Sequence, residues 1–230
     1  LDMLADLDVR INPLLFAMEG NGRGIPAPEL VKAQLGEAVA LIGKALPKAT
    51  LAIGDLSLAG ALGLIEDTRL GLARKQAFLL DIAPALVSPT SRALLDMRWR
   101  EVLEAAGKHQ VPRNSLVVLA ALSAVAVANS GSPAKKLLKF RAGYAAGDAY
   151  NALADLRSLE ILINLFALFP DERVALFTAD RALALFWTGI QAHDFRRAGE
   201  SVHFELAPVE ALLPGDSLDR WRDAVVDNAA

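Results

Sequence analysis

GDAYNALADLRSLEILINLF (147–166), FPDER (169–173) and VALFTAD (174–180) form the stretch whose reading decides the fold. The first part keeps apolar residues at helical spacing and sets Asp148, Asn151 and Asp155 along one side. The last part predicts a short buried strand stopping on Thr178-x-Asp180. Strands of a parallel sheet present their C-terminal ends at one edge, where loops collect ligand-binding groups. A helix carrying acids, followed by a strand ending in an acid, therefore brings carboxylates towards such an edge.

Outward from this stretch, the chain alternates strand and helix signals near its ends. Residues 1–12, LDMLADLDVRIN, fit a short strand as well as a helix, with Asp6 and Asp8 where a strand would give way to a loop. Pro13 suits a helix first turn, and a helix over 14–18 ends near Glu19 before the glycine-rich 20–24 segment. The spacing predicts a helix over 28–45. Residues 47–66 are ambiguous, because Gly54, Gly60 and Gly63 interrupt their apolar positions, and short helices are expected there. Further helices are expected over about 67–80, 88–106, 116–128, 181–193 and 216–230, with Asn114 or Ser115 capping the 116–128 helix. Arg196 to Gly199 reads as a turn and 202–206 as a strand of period two. The class this implies is α/β in one domain over 1–230, with the core in about 1–45 and 140–210 and a helical insertion over about 46–139.

Composition narrows the chemistry. Of 230 residues, 53% are apolar, enough for a sizeable core and against wholesale disorder. The formal charge of −3 provides no whole-molecule attraction for a polyanion, so a nucleic-acid contact would need a local basic face. Lys135, Lys136, Lys139 and Arg141 are the candidates for one, or are simply a solvated face. The absence of cysteine excludes disulfides, zinc–thiolate sites and cysteine nucleophiles. The longest uncharged apolar run, Leu116 to Ala128, falls short of the roughly 20 residues a bilayer requires, and no signal-peptide pattern opens the sequence. The expectation is a cytoplasmic protein without membrane attachment; the wealth of Ala, Leu and Arg suits a bacterial source. No two histidines have i,i+4 spacing, and none is assigned a role.

Carboxylates held close repel unless a cation neutralises them or one is protonated. Hard oxygen ligands suit Mg2+ or Mn2+, which commonly use a few carboxylates together with substrate phosphate. Metal-dependent phosphodiester hydrolysis is the chemistry this suggests. In this respect the sequence resembles the PIN-domain nucleases. Asp6-Leu7-Asp8-Val9 is similar to the family's opening D-x-N-V, with Asp8 in the usual Asn place; Asp148 to Asp155 resembles its acidic helix, and Leu176 to Asp180 its strand ending in T-x-D. The likeness covers about a third of the chain. It implies a PIN-like parallel-sheet core and an endoribonuclease, in a toxin-like or defence context. Asp6, Asp148 and Asp180 would be ligands to Mg2+ or Mn2+, with Glu19 as a further catalytic acid (Glu37 and Glu66 being alternatives). Asp8, Asn151, Asp155 and Thr178 would support them, and RNA would approach over Lys135, Lys136, Lys139 and Arg141. The alternative is a non-catalytic PIN-like scaffold whose helical middle binds a protein partner or a second copy. Asp148 and Asp180 also have plain readings, as a first-turn acid and as an N-cap.

Overall fold

The computed structural model describes residues 9–19, 24–199 and 201–226. Contacts gather the chain into two units, Leu1–Leu72 and Ala73–Ala230. Asp6 and Asp8 lie outside the described residues, and Glu19 is described in its backbone alone.

The first unit is built on a parallel strand pair, which demands a crossover between its strands. Strand β1 (Arg10–Ile11) leads through helices α1 (Leu14–Glu19) and α2 (Pro28–Ala45) to β2 (Thr50–Leu51). Arg10 lies opposite Thr50 and Ile11 opposite Leu51. The Thr50 N–H donates to the Val9 carbonyl at 2.9 Å and the Ala52 N–H to that of Ile11 at 2.8 Å. Asn12 caps α1, its Oδ1 accepting from the Leu14 N–H at 3.0 Å. In α2, Pro28 starts the helix, with Glu29 in the first turn and Lys44 in the last, both signs matching the helix dipole. Ala17, Met18, Val31, Leu35 and Leu46 are buried between these elements.

Helix α3 (Asp55–Leu86) follows, crossing the division between the units. The second unit continues with a 3₁₀ turn (Arg92–Leu94), α4 (Leu95–Lys108), α5 (Leu116–Ala126), α6 (Pro133–Leu138), α7 (Ala146–Leu168), α8 (Arg181–Ile190), an antiparallel hairpin of β3 (Ala192–Ala198) and β4 (Ser201–Leu206), and α9 (Ser217–Val226). Its centre is α5. Every residue from Leu116 to Val125 is buried, because α4, α6, α7 and α9 all pack against it. A helix apolar on all sides has to be enclosed in this way. The covering helices show one apolar stripe each: Trp99, Val102 and Ala106 in α4, and Leu153, Leu156, Leu159 and Ile163 in α7. Arg220 of α9 lies over the Trp99 ring, 4.8 Å from its centroid, and donates to Asp96 at 2.8 Å. The hairpin rests on α7, where Phe195 packs on Phe166 with centroids 5.0 Å apart.

Several expectations need correction. The apolar run 174–177 joins no strand among the described residues, and Phe177 is 70% exposed rather than buried. A strand forms only where a second strand supplies hydrogen bonds, and local apolarity does not provide one. The ambiguous 47–66 segment holds β2 and then the start of a single long helix, which accommodates Gly60, Gly63 and Gly71 with no neighbour within 4 Å of where a Cβ would stand. Residues 192–198 form β3, so Arg196 to Ala198 are strand and the reversal comes at Gly199, with φ of 63°. Ser115 does hold the N-cap position of α5, but its hydroxyl makes no capping bond. The stretch 46–139, expected as a helical insertion, includes β2 as well as the α5 around which the second unit packs. At the coarser level the chain is mixed α and β, mostly helical, with one parallel pair among its described strands.

Two substitutions test this packing. The Ser123 hydroxyl is fully buried in α5 without a partner among the described residues. Ser123→Ala removes an unsatisfied polar group and raises helix propensity, so denaturant unfolding is expected to show a gain of about 1 kcal/mol. Gly189 of α8 faces Leu212, whose Cδ1 and Cγ would stand 2.8 and 2.9 Å from an added Cβ, and Leu212 is only 1% exposed. Gly189→Ala is expected to cost about 1–3 kcal/mol in the same measurement.

Candidate functional site

The acids singled out in the sequence are best followed from the turn that precedes α7. Residues 141–144 form a turn closed by the Tyr144 N–H on the Arg141 carbonyl at 3.1 Å, with Gly143 at φ of 72°. Such a positive φ suits glycine because it has no Cβ to clash. Ala145 then takes the N-cap position in extended conformation, and Asp148 sits three residues on. Alanine has no side-chain acceptor, so only half of a capping box forms: Asp148 Oδ2 accepts from the Ala145 N–H at 3.0 Å. Arg141 Nη2 reaches both carboxylate oxygens, at 2.9 Å to Oδ1 and 3.1 Å to Oδ2. The Asp148 side chain is 17% exposed and that of Arg141 60%. Beside them the Tyr144 hydroxyl is buried without a hydrogen-bond partner among the described residues. Burial, and secondly the Asp148 charge, push this phenol well above its usual range.

Farther along α7, Asn151 is exposed and Asp155 half-buried. Arg157 is half-buried, and burial lowers its pKa against the pull of Tyr150 and Glu160. Glu160 pairs with Lys75.

Asp180 is the N-cap of α8. Its Oδ1 accepts from the Ala182 N–H at 2.7 Å and the Leu183 N–H at 3.0 Å. Thr178 Oγ1 in turn accepts from the Asp180 N–H at 3.0 Å. Thr178-x-Asp180 is thus a local turn-and-cap device at the entrance to a helix. Asp180 Oδ2 makes no hydrogen bond to a described residue, which leaves one oxygen for another ligand.

The four cations around 135–141 differ in their surroundings. Lys135 is half-buried, its pKa lowered by desolvation, with Nζ 3.3 Å from the Ala128 carbonyl. Arg141 is engaged by Asp148. Lys136 and Lys139 are exposed and leave the more accessible charge for an anion.

Two charged groups escaped the sequence reading. On the hairpin, His193 lies directly opposite Glu205, and a bulge with Asp194 at φ of 53° turns that acid towards them. Their ligating atoms lie within 4.8 Å of one another, with His193 Nε2 3.9 Å from each carboxylate. All three residues are exposed. The pairing of β3 with β4 assembles this group, and β3 itself had been read in part as a turn. At the other group, Lys108 Nζ and His109 Nε2 both meet Asp81 Oδ2, at 2.8 and 2.9 Å. They adjoin an open groove of about 620 Å³ lined in part by Arg98, Glu101 and Glu104.

Among the described residues, the group of His193, Asp194 and Glu205 is the one set of three potential metal ligands held this closely; Asp148, Asp155 and Asp180 do not form another. Among them too, no helix is long and apolar enough to cross a membrane. No family model matches the chain, and neither curated proteins nor solved structures show a match to it.

The Asp81 group has a pH signature. Hydrogen bonds from Lys108, then from His109, hold its carboxyl below the ordinary value of 3.8, against the opposing effect of burial. A depressed folded-state pKa stabilises above the unfolded value and loses that effect as pH falls through the folded one. With Asp81 34% exposed, solvent screening keeps the contribution small. Asp81→Asn is expected to lower stability by up to about 1 kcal/mol at neutral pH, and urea titrations should show the two proteins converging as pH falls through the lowered folded-state value of Asp81.

Proposed function

We propose that the chain is a metal-dependent nuclease of PIN-like type, in which Asp148 and Asp180 supply carboxylates to Mg2+ or Mn2+ and RNA approaches over Lys136 and Lys139. The observation that carries this reading is the placement of both acids at the N-termini of α7 and α8, two helices that pack against each other in one unit. The parallel β1–β2 pair supports it at the level of fold. Asp6, the third ligand by resemblance, lies outside the described residues, as does its neighbour Asp8.

The described donors suit a hard divalent ion. Both are carboxylates, and Asp180 has Oδ2 available while Oδ1 stays on the helix. Asp148 is sheltered and anchored by the Ala145 N–H. A divalent ion held by such acids supplies the positive charge that a phosphodiester oxygen needs during hydrolysis. The chain's own residues do the rest: the helix N-termini orient the two carboxylates, Thr178 holds the backbone of Asp180, and the exposed lysines attract the polyanion.

A second reading rests on the bonds those acids already make. Asp180 caps α8 and Asp148 pairs with Arg141 and Ala145, which suits a scaffold whose acids serve helix stability alone. Isothermal calorimetry with Mn2+ separates the two, in the presence and absence of a short RNA. Asparagine caps a helix as well as aspartate does, so Asp180→Asn removes charge while keeping α8. The nuclease reading expects Mn2+ binding that weakens at least about ten-fold in the Asp148→Asn, Asp180→Asn double variant. Equal binding by wild type and double variant, or binding by neither, supports the scaffold.

A further inference from the structure

We propose that the outer edge of β4 is a self-association surface, where β4 of a second copy of this chain pairs antiparallel about Phe204 and makes one four-stranded sheet across a two-fold axis. Such an association rests on the hairpin and needs no metal site.

The two edges of the hairpin are built differently. Among the described residues β4 pairs with β3 alone. In an antiparallel ladder alternate residues aim their N–H and C=O groups away from the partner, so the far side of β4 carries unpaired backbone. β3 blunts its own edge: a bulge interrupts it between His193 and Arg196, and Asp194, Arg196 and Arg197 are exposed charges there. On β4 exposed and half-buried residues alternate without a break. Val202 to Leu206 line one wall of an open groove of about 500 Å³, which Trp221, Val225 and Val226 of α9 also line. Successive strand residues point to opposite faces, so a wall made of five in a row follows the edge of the strand. Val226, 69% exposed, offers an arriving strand apolar surface to cover.

The occupant follows from the pattern of β4 itself. Val202, Phe204 and Leu206 are half-buried on one face, and His203 and Glu205 are exposed on the other. Antiparallel pairing about Phe204 sets His203 opposite Glu205 of the second copy, Val202 opposite its Leu206, and the two Phe204 rings opposite each other. Directly opposed residues share a face, so base meets acid outside and apolar meets apolar inside. The two-fold axis makes each unlike contact twice. Centring the pairing on His203 or on Glu205 would instead oppose two histidines or two glutamates. Val202-His203-Phe204-Glu205-Leu206 is thus complementary to itself in the register centred on Phe204.

The test is sedimentation velocity of the full chain in a concentration series reaching about 100 µM. Wild type is expected to dimerise as its concentration rises. His203→Glu opposes acid to acid and Glu205→Lys opposes base to base, and both sites are exposed, so the hairpin tolerates the changes. Each variant alone is expected to weaken the dimer at least about ten-fold, since two pairs per dimer turn from attractive to repulsive. An equimolar mixture of the two variants restores both unlike pairs, and is expected to return to within about three-fold of the wild-type affinity. Glu172→Lys repeats the charge change of Glu205→Lys at an exposed acid outside the hairpin, and is expected to dimerise like wild type. A wild type that stays monomeric throughout overturns the association. A dimer that neither hairpin variant weakens overturns it too, placing the contact on another face. Equal weakening by Glu172→Lys assigns the effect to net charge, and no recovery in the mixture rules out pairing about Phe204.

Discussion

The burial of α5 is the constraint on which the second unit depends. Its ten residues from Leu116 to Val125 have no side that tolerates water, so helices must close around it from every direction. The six Leu and Val side chains among the ten represent roughly 10 kcal/mol of gross hydrophobic stabilisation, most of which the entropy of ordering offsets. The amphipathic stripe of α4 follows from this demand, since it needs one apolar face for α5 and one polar face for solvent, while α7 packs on α5, α6, α8 and the hairpin together. The α6 turn and α9 complete the enclosure, leaving the hairpin to lie on α7.

The candidate chemistry sits at helix N-termini for a reason that also makes it ambiguous. The first N–H groups of a helix have no partner within it, and the dipole favours negative charge at that end. An aspartate there is held in place by the backbone, which is what a metal ligand needs and equally what a cap needs. Asp180 divides these tasks between its oxygens, with Oδ1 on the helix and Oδ2 without a described partner. Asp148 divides them differently, sharing both oxygens with Arg141.

Local structure around Asp148 shows how short-range rules place a charged pair. A positive φ at Gly143, a turn from Arg141 to Tyr144 and an extended Ala145 are enough to bring two residues seven positions apart into contact. The hairpin achieves the equivalent over a longer range. Cross-strand pairing puts His193 beside Glu205, and a bulge adds Asp194, which a regular strand would point to the opposite face.

The sequence by itself determined the elements whose signal is local. The 28–45 helix ends where its proline start and apolar spacing place it, the buried 116–126 helix follows from an uninterrupted apolar run, and β4 follows from the alternation of Val202, Phe204 and Leu206. The plain readings of Asp148 and Asp180 as helix-start acids were also legible, because capping involves residues only two or three positions apart. What tertiary structure alone decided was pairing. Thr50 and Leu51 become a strand because β1 is available to them, whereas the more apolar 174–177 run meets no described strand and leaves Phe177 exposed. The meetings of His193 with Glu205 and of His109 with Asp81 belong to the same class. Periodicity records which face a residue presents, but hydrogen bonds and ion pairs between distant segments depend on which other segment arrives there, and that is a property of the packed chain.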